Sequence, residues 1–199
     1  MAKIEAVDGG ERPARAADRI RETARELFYR EGIRAVGVDT IVTQAGVTKP
    51  SLYRSFGSKE DLVASYLRDY DADYWRKFDA VMAQHQGDPR AQLRAWFVRA
   101  AERVGMPQYR GCGMTNAAVE YPEPDHPGRQ IAVANKTELR RRLIAMAEAM
   151  GAKDPAVLGD GLLLLLEGAY VMAQLLGQDG PSPSVAAAAE ALIDGSLKE

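Results

Sequence analysis

Apolar residues recur at three- and four-residue intervals along most of this chain, and glycine and proline cut the pattern into blocks. No run of alternating β-branched residues lies between turn signals, so the expected fold class is all-α. A first helix opens at Pro13 or Ala14 and places Ile20, Ala24, Leu27 and Phe28 on one face, with Gly32 where a left-handed residue would end it. Residues 1 to 12 are polar, contain Gly9-Gly10 and read as a disordered arm. Two short blocks follow, Val38 to Ala45 and Lys49 to Phe56, stopped by Gly46 and Gly57. Thr48 is the N-cap of the second, and Pro50 is tolerated in its first turn because the amide it lacks would have no intrahelical partner. Ser58 and Asp61 have capping-box spacing and start a long helix. Its apolar face runs Leu62, Tyr66, Tyr70, Tyr74, Phe78 and Val81 or Met82, and it ends near Gly87.

Three later blocks begin with a capping residue followed by proline: Asp88-Pro89, Asp154-Pro155 and Ser182-Pro183. The helices expected are Pro89 to Val104, Met114 to Glu120, about Pro127 to Met150, Pro155 to Leu176 and Pro183 to Leu197, with a proline-rich connection at 121 to 128.

Two short helices joined through Gly46-Val47-Thr48 have the signature of a helix-turn-helix, whose second helix enters the DNA major groove. The motif spans about residues 38 to 57. Ile41, Val42, Ala45, Val47, Leu52 and Phe56 can pack the pair against Ala24, Leu27 and Phe28. Residues Lys49, Pro50, Ser51, Tyr53, Arg54 and Ser55 are left for another partner. Between Ile41 and Lys59 there are three cations, Lys49, Arg54 and Lys59, and no acid, with Thr40, Thr43, Gln44 and Thr48 as further polar groups. Such a face suits phosphates, and arginine can pair bidentately with guanine.

The string IRETARELFYREGIRAVGVDTIVTQAGVTKPSLYRSFGSKEDLVASYL resembles the N-terminal domain of the tetracycline repressor (TetR) family. The matching features are the first helix from Ala24 to Phe28, the turn Ala45-Gly46-Val47-Thr48, and the ending Leu52 to Leu62. The resemblance implies a DNA-binding domain at 13 to 62 and a helical ligand-binding and dimerisation domain at 63 to 199. It also implies phosphate contacts from Thr48, Tyr53 and Lys59, and base contacts from Lys49, Ser51 and Arg54, with Thr43 and Gln44 beside them. It implies first of all a ligand-responsive transcriptional regulator, a repressor released from a palindromic operator by a small molecule, whose expected partners are double-stranded operator DNA, a small-molecule effector and a second copy of the chain. Gly37 departs from the family, which often has a Ser or Thr cap there, and a weaker cap is expected.

The helix from Pro155 to Leu176 is apolar nearly all round, and the last helix contains Val185 and four consecutive alanines. Such helices must be buried, and a four-helix dimer interface from two copies would bury them. Polar residues inside apolar helices are the effector candidates: Cys112, Asn116 and Glu120 at spacings of four, and Glu167, Tyr170 and Gln174 in the dimer-helix region. Tyr66, Tyr70, Trp96 and Phe97 could supply aromatic walls.

Composition limits the alternatives. The longest wholly apolar run is interrupted by Glu167, well short of the roughly 18 residues of a membrane helix, and the N-terminus lacks an apolar signal core, so no membrane partner and a cytoplasmic location are expected. One cysteine and two histidines exclude an internal disulfide framework and leave little for zinc, so neither metal nor cofactor is expected. The net charge of −2 conceals segregation, since the acidic surplus lies after residue 62. Cys112, between Gly111 and Gly113 and next but one to Arg110, could serve as a redox or electrophile sensor. It could also be the nucleophile of an enzyme with His126 or Glu120 as base, though no nucleophile motif surrounds it. A small-molecule-binding protein without sequence-specific DNA control is the third function. The triplet Arg140-Arg141-Arg142 points in three directions on a helix and reads as a solvated face.

Overall fold

The structure, a computed structural model, describes residues 15–197. Among these are nine α-helices and no strand: α1 (Ala16–Glu31), α2 (Val38–Gln44), α3 (Lys49–Phe56), α4 (Lys59–Gln84), α5 (Pro89–Val104), α6 (Gly113–Glu120), α7 (Pro127–Ala149), α8 (Pro155–Leu176) and α9 (Val185–Ser196). The expected arm at residues 1 to 12 and the helix start at Pro13 or Ala14 lie outside the described residues. Local capping chemistry accounts for most of the boundaries. Thr48 accepts from the Ser51 amide, Ser58 from Asp61, Asp88 from Ala91 and Asp154 from Val157. Gly37 precedes α2 without a side-chain cap, as its lack of a hydroxyl requires.

Ser182 departs from the expected pattern. Residues Ser182–Ser184 form a 3-10 turn and α9 begins only at Val185. The Ser182 hydroxyl is buried and donates to the Ala169 carbonyl of α8 at 2.9 Å, so tertiary contact takes the group that would have capped the helix.

Ile20, Ala24, Leu27 and Phe28 of α1 close over Ile41, Val42, Ala45 and Leu52, forming the head's small core. The head joins the body through α4, whose first two turns bury Leu62, Val63, Tyr66 and Leu67. Beyond them Tyr74, Phe78 and Trp96 make edge-to-face contacts between α4 and α5. The arginine triplet is consumed within the chain: Arg140 pairs with Asp160, Arg141 with Glu138, and Arg142 with Asp79 and Glu138 while lying over Trp75.

Helices α7 and α8 pack closely at Gly159, where an added Cβ would lie 2.8 Å from the Ile144 amide nitrogen and 2.9 Å from its Cα. Backbone cannot yield as a flexible side-chain end can. Gly159→Ala is expected to destabilise the fold by about 1–3 kcal/mol and lower Tm by about 2–10 °C, as read by thermal denaturation. An unchanged Tm would contradict this packing.

By length and composition α8 is apolar enough to cross a membrane, which its interrupted run did not suggest. Leu158, Leu162, Leu166, Ala169, Tyr170 and Ala173 are nevertheless buried in the chain's own core. Its other face is exposed in the single chain, where the expected dimer interface would lie: Val157, Leu164, Val171 and Leu175 are at 64%, 73%, 39% and 69% exposure.

Candidate nucleic-acid interface

The turn between α2 and α3 is built on Gly46, whose φ of +62° lies in the left-handed region that glycine enters without a Cβ penalty. It turns the chain so that Val47 returns its amide to the Val42 carbonyl at 3.0 Å and Thr48 can start α3. Leu52 is buried, and Lys49, Pro50, Tyr53, Arg54 and Ser55 are exposed. Thr43 and Gln44, at the end of α2, are exposed beside them.

The polar groups on α3 form a hydrogen-bonded set. The Thr48 and Ser51 hydroxyls lie 3.1 Å apart, Arg54 Nη2 donates to Ser51 Oγ at 3.3 Å, and the Ser55 hydroxyl donates to the Ser51 carbonyl at 2.9 Å. The Arg54 head is thereby held over the helix with most of its donors free. Nine positions expected to meet DNA are Thr43, Gln44, Thr48, Lys49, Pro50, Ser51, Tyr53, Arg54 and Lys59, and all but Ser51 and Lys59 are exposed. Ser51 is half-covered by the network it serves. Lys59 borders a recess with Arg34, Glu60, Tyr121 and His126, and burial lowers its pKa.

One participant was missed. Asp39, in the first turn of α2, pairs with Lys49 at 2.7 Å, and the hydrogen bond to its carboxylate raises the Lys49 pKa. The acid-free segment begins two residues later, so an acid from across the turn was overlooked.

Two sets of hydrogen bonds tie the head to α6 and to the loop before it. The Arg34 amide donates to Glu120 Oε2 at 2.7 Å and its guanidinium to the Glu120 carbonyl at 3.1 Å. The Tyr29 hydroxyl donates to the Gly111 carbonyl and accepts from the Arg110 amide, both at 3.2 Å. Tyr29 also borders a cleft of about 650 Å³ between α1 of the head and α4 and α5 of the body.

Of the effector candidates, Tyr66, Tyr70, Trp96 and Tyr170 line this cleft. Phe97, Cys112, Asn116, Glu120, Glu167 and Gln174 do not. Phe97 is wholly buried in the core. The expected stripe of Cys112, Asn116 and Glu120 comes apart because α6 is eight residues wedged against α4 and α7, so each turn meets a different neighbour. Cys112 is buried with Lys136 Nζ 3.3 Å from its sulfur, Asn116 donates to the Arg110 carbonyl, and Glu120 holds Arg34. Glu167 is occupied by Lys136 at 2.5 Å and Thr115 at 2.6 Å, and Gln174 is exposed at the end of α8. His126, a base in the enzyme reading, accepts from the Gly128 amide and stacks on Tyr121, so it serves as a cap.

Among the cleft residues that sequence reading missed is Arg103. It lies seven positions after Trp96 on α5, on the face that also buries Ala100, and that spacing was the available signal.

Residues 20–66 match the family described as bacterial regulatory proteins, tetR family. The chain is 32% identical over 160 residues to the transcriptional regulator AcuR of Cereibacter sphaeroides, covering 75% of this chain and 72% of that protein. It is 35% identical over 83 residues to the HTH-type transcriptional repressor KstR2 of Rhodococcus jostii, covering 42% and 40%. Its fold matches the crystal structure of SCO4454, a TetR-family transcriptional regulator from Streptomyces coelicolor, with a TM-score of 0.87 and 29% identity over 92% of this chain and 96% of that one.

Proposed function

Because this chain belongs to the tetR family of bacterial regulatory proteins and is a DNA-binding transcriptional regulator, we propose that it works as a cytoplasmic homodimeric repressor released from a palindromic operator by a small molecule. The observation that carries the reading is the exposed face of α3, where Thr48, Ser51 and Arg54 form one hydrogen-bonded set. In this reading Lys49, Ser51 and Arg54, with Pro50, Thr43 and Gln44 beside them, face base edges, while Thr48, Tyr53 and Lys59 hold phosphates. The name of KstR2 as a repressor supports the sign of regulation.

The effector site is the cleft between α1, α4 and α5. A molecule there touches head and body together, including Tyr29, whose hydroxyl joins the two. A ligand that fits one spacing of the two heads better than the other shifts the dimer to that spacing, and by linkage DNA of the wrong spacing loses affinity for the liganded protein. The row Val157, Leu164, Val171 and Leu175 on α8 would be covered by the second copy.

The test is selection of bound fragments from the source genome, repeated with a metabolite panel. The expected result is enrichment of an inverted repeat, with salt-dependent binding and release by at least one compound. Fragments recovered without sequence enrichment would overturn the reading.

A further inference from the structure

Among the described residues, several exposed arginines have carboxylate partners that Arg103 of the cleft lacks. Arg21, Arg30, Arg76, Arg90, Arg140 and Arg141 each pair with a carboxylate although water could solvate them. Arg103, deeper in the protein, pairs with none. Its guanidinium donates to the Tyr70 hydroxyl at 2.6 Å and lies 5.7–5.9 Å from the ring centres of Tyr70, Tyr109 and Tyr170. Those rings offer it only their faces and one oxygen, which leaves most of its five donors unused. Burial pushes the phenols of Tyr70 and Tyr170 well above their ordinary pKa, so at neutral pH neither supplies the missing negative charge. Asp73, also at the cleft, is engaged by Arg76 and Lys77.

Two further groups at the same cleft lack partners. The Tyr74 hydroxyl and the Trp96 indole nitrogen are buried and make no hydrogen bond, and both side chains line the cavity. A half-buried cation without a counter-ion and two unpartnered buried polar atoms are each costly alone. Gathered at one cavity, they have the arrangement of a site whose missing member is an anion with an apolar body.

We propose that the cleft binds a small organic monocarboxylate, its carboxylate on Arg103 and its apolar body against Tyr66, Tyr74 and Trp96. This rests on the effector cleft proposed above and assigns its ligand class. The guanidinium fork matches a carboxylate with two parallel hydrogen bonds. Arg99 also borders the cleft without a carboxylate partner, but it is exposed at the edge, so at the inner end Arg103 is the unpaired cation and one negative charge suits it. The tyrosine rings offer the rest of the molecule flat apolar contact, and the volume of about 650 Å³ falls in the range of small-ligand sites.

The experiment is a titration of intrinsic tryptophan fluorescence with benzoate, cinnamate and hexanoate, each beside its primary amide, and with phenyl phosphate. The chain has two tryptophans, and Trp96 is at the cleft. At least one acid is expected to change the emission and to bind tenfold or more tightly than its amide. Arg103→Gln should erase that preference and Arg103→Lys keep part of it, with selected-operator binding by both variants unchanged in the absence of ligand. Equal affinity for acids and amides in the wild-type protein, or an acid preference that survives Arg103→Gln, would overturn the proposal. Tighter binding of phenyl phosphate than of benzoate would overturn the carboxylate assignment. The wild-type panel decides even if Arg103→Gln does not fold. Should operator selection succeed while no acid binds, the ligand class fails and the regulator reading stands; should selection fail, that reading falls whatever the cleft binds.

Discussion

Arg54→Ala is expected to weaken operator binding by about 1–3 kcal/mol, roughly 5- to 150-fold, and to remove discrimination at one or two base pairs. Arg54 is exposed on α3 and pre-positioned by Ser51, so its loss removes a directed contact with little effect on the head's core. Lys49→Ala and Tyr53→Phe probe other terms. In this reading the lysine also neutralises phosphate when it leaves Asp39, so its removal should lower the slope of log K against log salt by about 0.9. The tyrosine hydroxyl is a single phosphate donor worth about 1 kcal/mol, lost equally on all sequences. Asp39→Asn should act in the opposite direction. It frees Lys49 from a carboxylate 2.7 Å away and should tighten non-specific binding more than specific binding. Fluorescence anisotropy on the selected operator and a scrambled duplex, across a salt series, reads all four. If Arg54→Ala weakened both duplexes equally, Arg54 would be a phosphate contact and base reading would have to come from other residues.

The parts of this site that were legible in the sequence are those governed by contacts within one turn of helix. Thr48 caps α3 through its own third neighbour, and the helical repeat then decides that Leu52 is buried while Tyr53 and Arg54 are not. Asp39 was missed because it reaches Lys49 across the Gly46 turn, where spacing along the chain no longer measures distance. The same limit applies more strongly to the cleft. Its walls come from α1, α4, α5 and Tyr170 of α8, and whether Arg103 meets water or three tyrosine rings depends on which helix faces meet. The stripe Cys112, Asn116 and Glu120 illustrates the converse error, a regular local spacing whose members have three different tertiary partners. Ser182 shows it again at a helix start. Its sequence is compatible with a cap, and a carbonyl of α8 claimed the hydroxyl.

Leu164→Glu is expected to convert the protein from dimer to monomer and to cost operator affinity by two or more powers of ten. Val157, Leu164, Gly168, Val171 and Leu175 follow one another at helical spacings on the uncovered side of α8, and nothing lies within 4 Å of a Cβ built on Gly168. On α9 the exposed residues Ala188, Ala191 and Gly195 form a row of small side chains beside the half-buried Leu192. Two copies meeting on these rows would remove the leucines from water at about 25 cal/mol per Å² of apolar surface, and the small residues would let the helices approach. A glutamate at position 164 would then be buried opposite its own copy, an unpaired charge facing a like charge. In a single chain the substitution should be nearly silent, within about 0.5 kcal/mol, because Leu164 is 73% exposed. This separates assembly from folding. Sedimentation should show monomers that keep the helical circular dichroism of the wild type. Their weaker operator binding follows from losing the second head, since one half-site contact no longer raises the effective concentration of the other. A wild-type chain that sediments as a monomer at micromolar concentration would overturn the dimer, and a Leu164→Glu variant that remains a dimer would place the interface elsewhere.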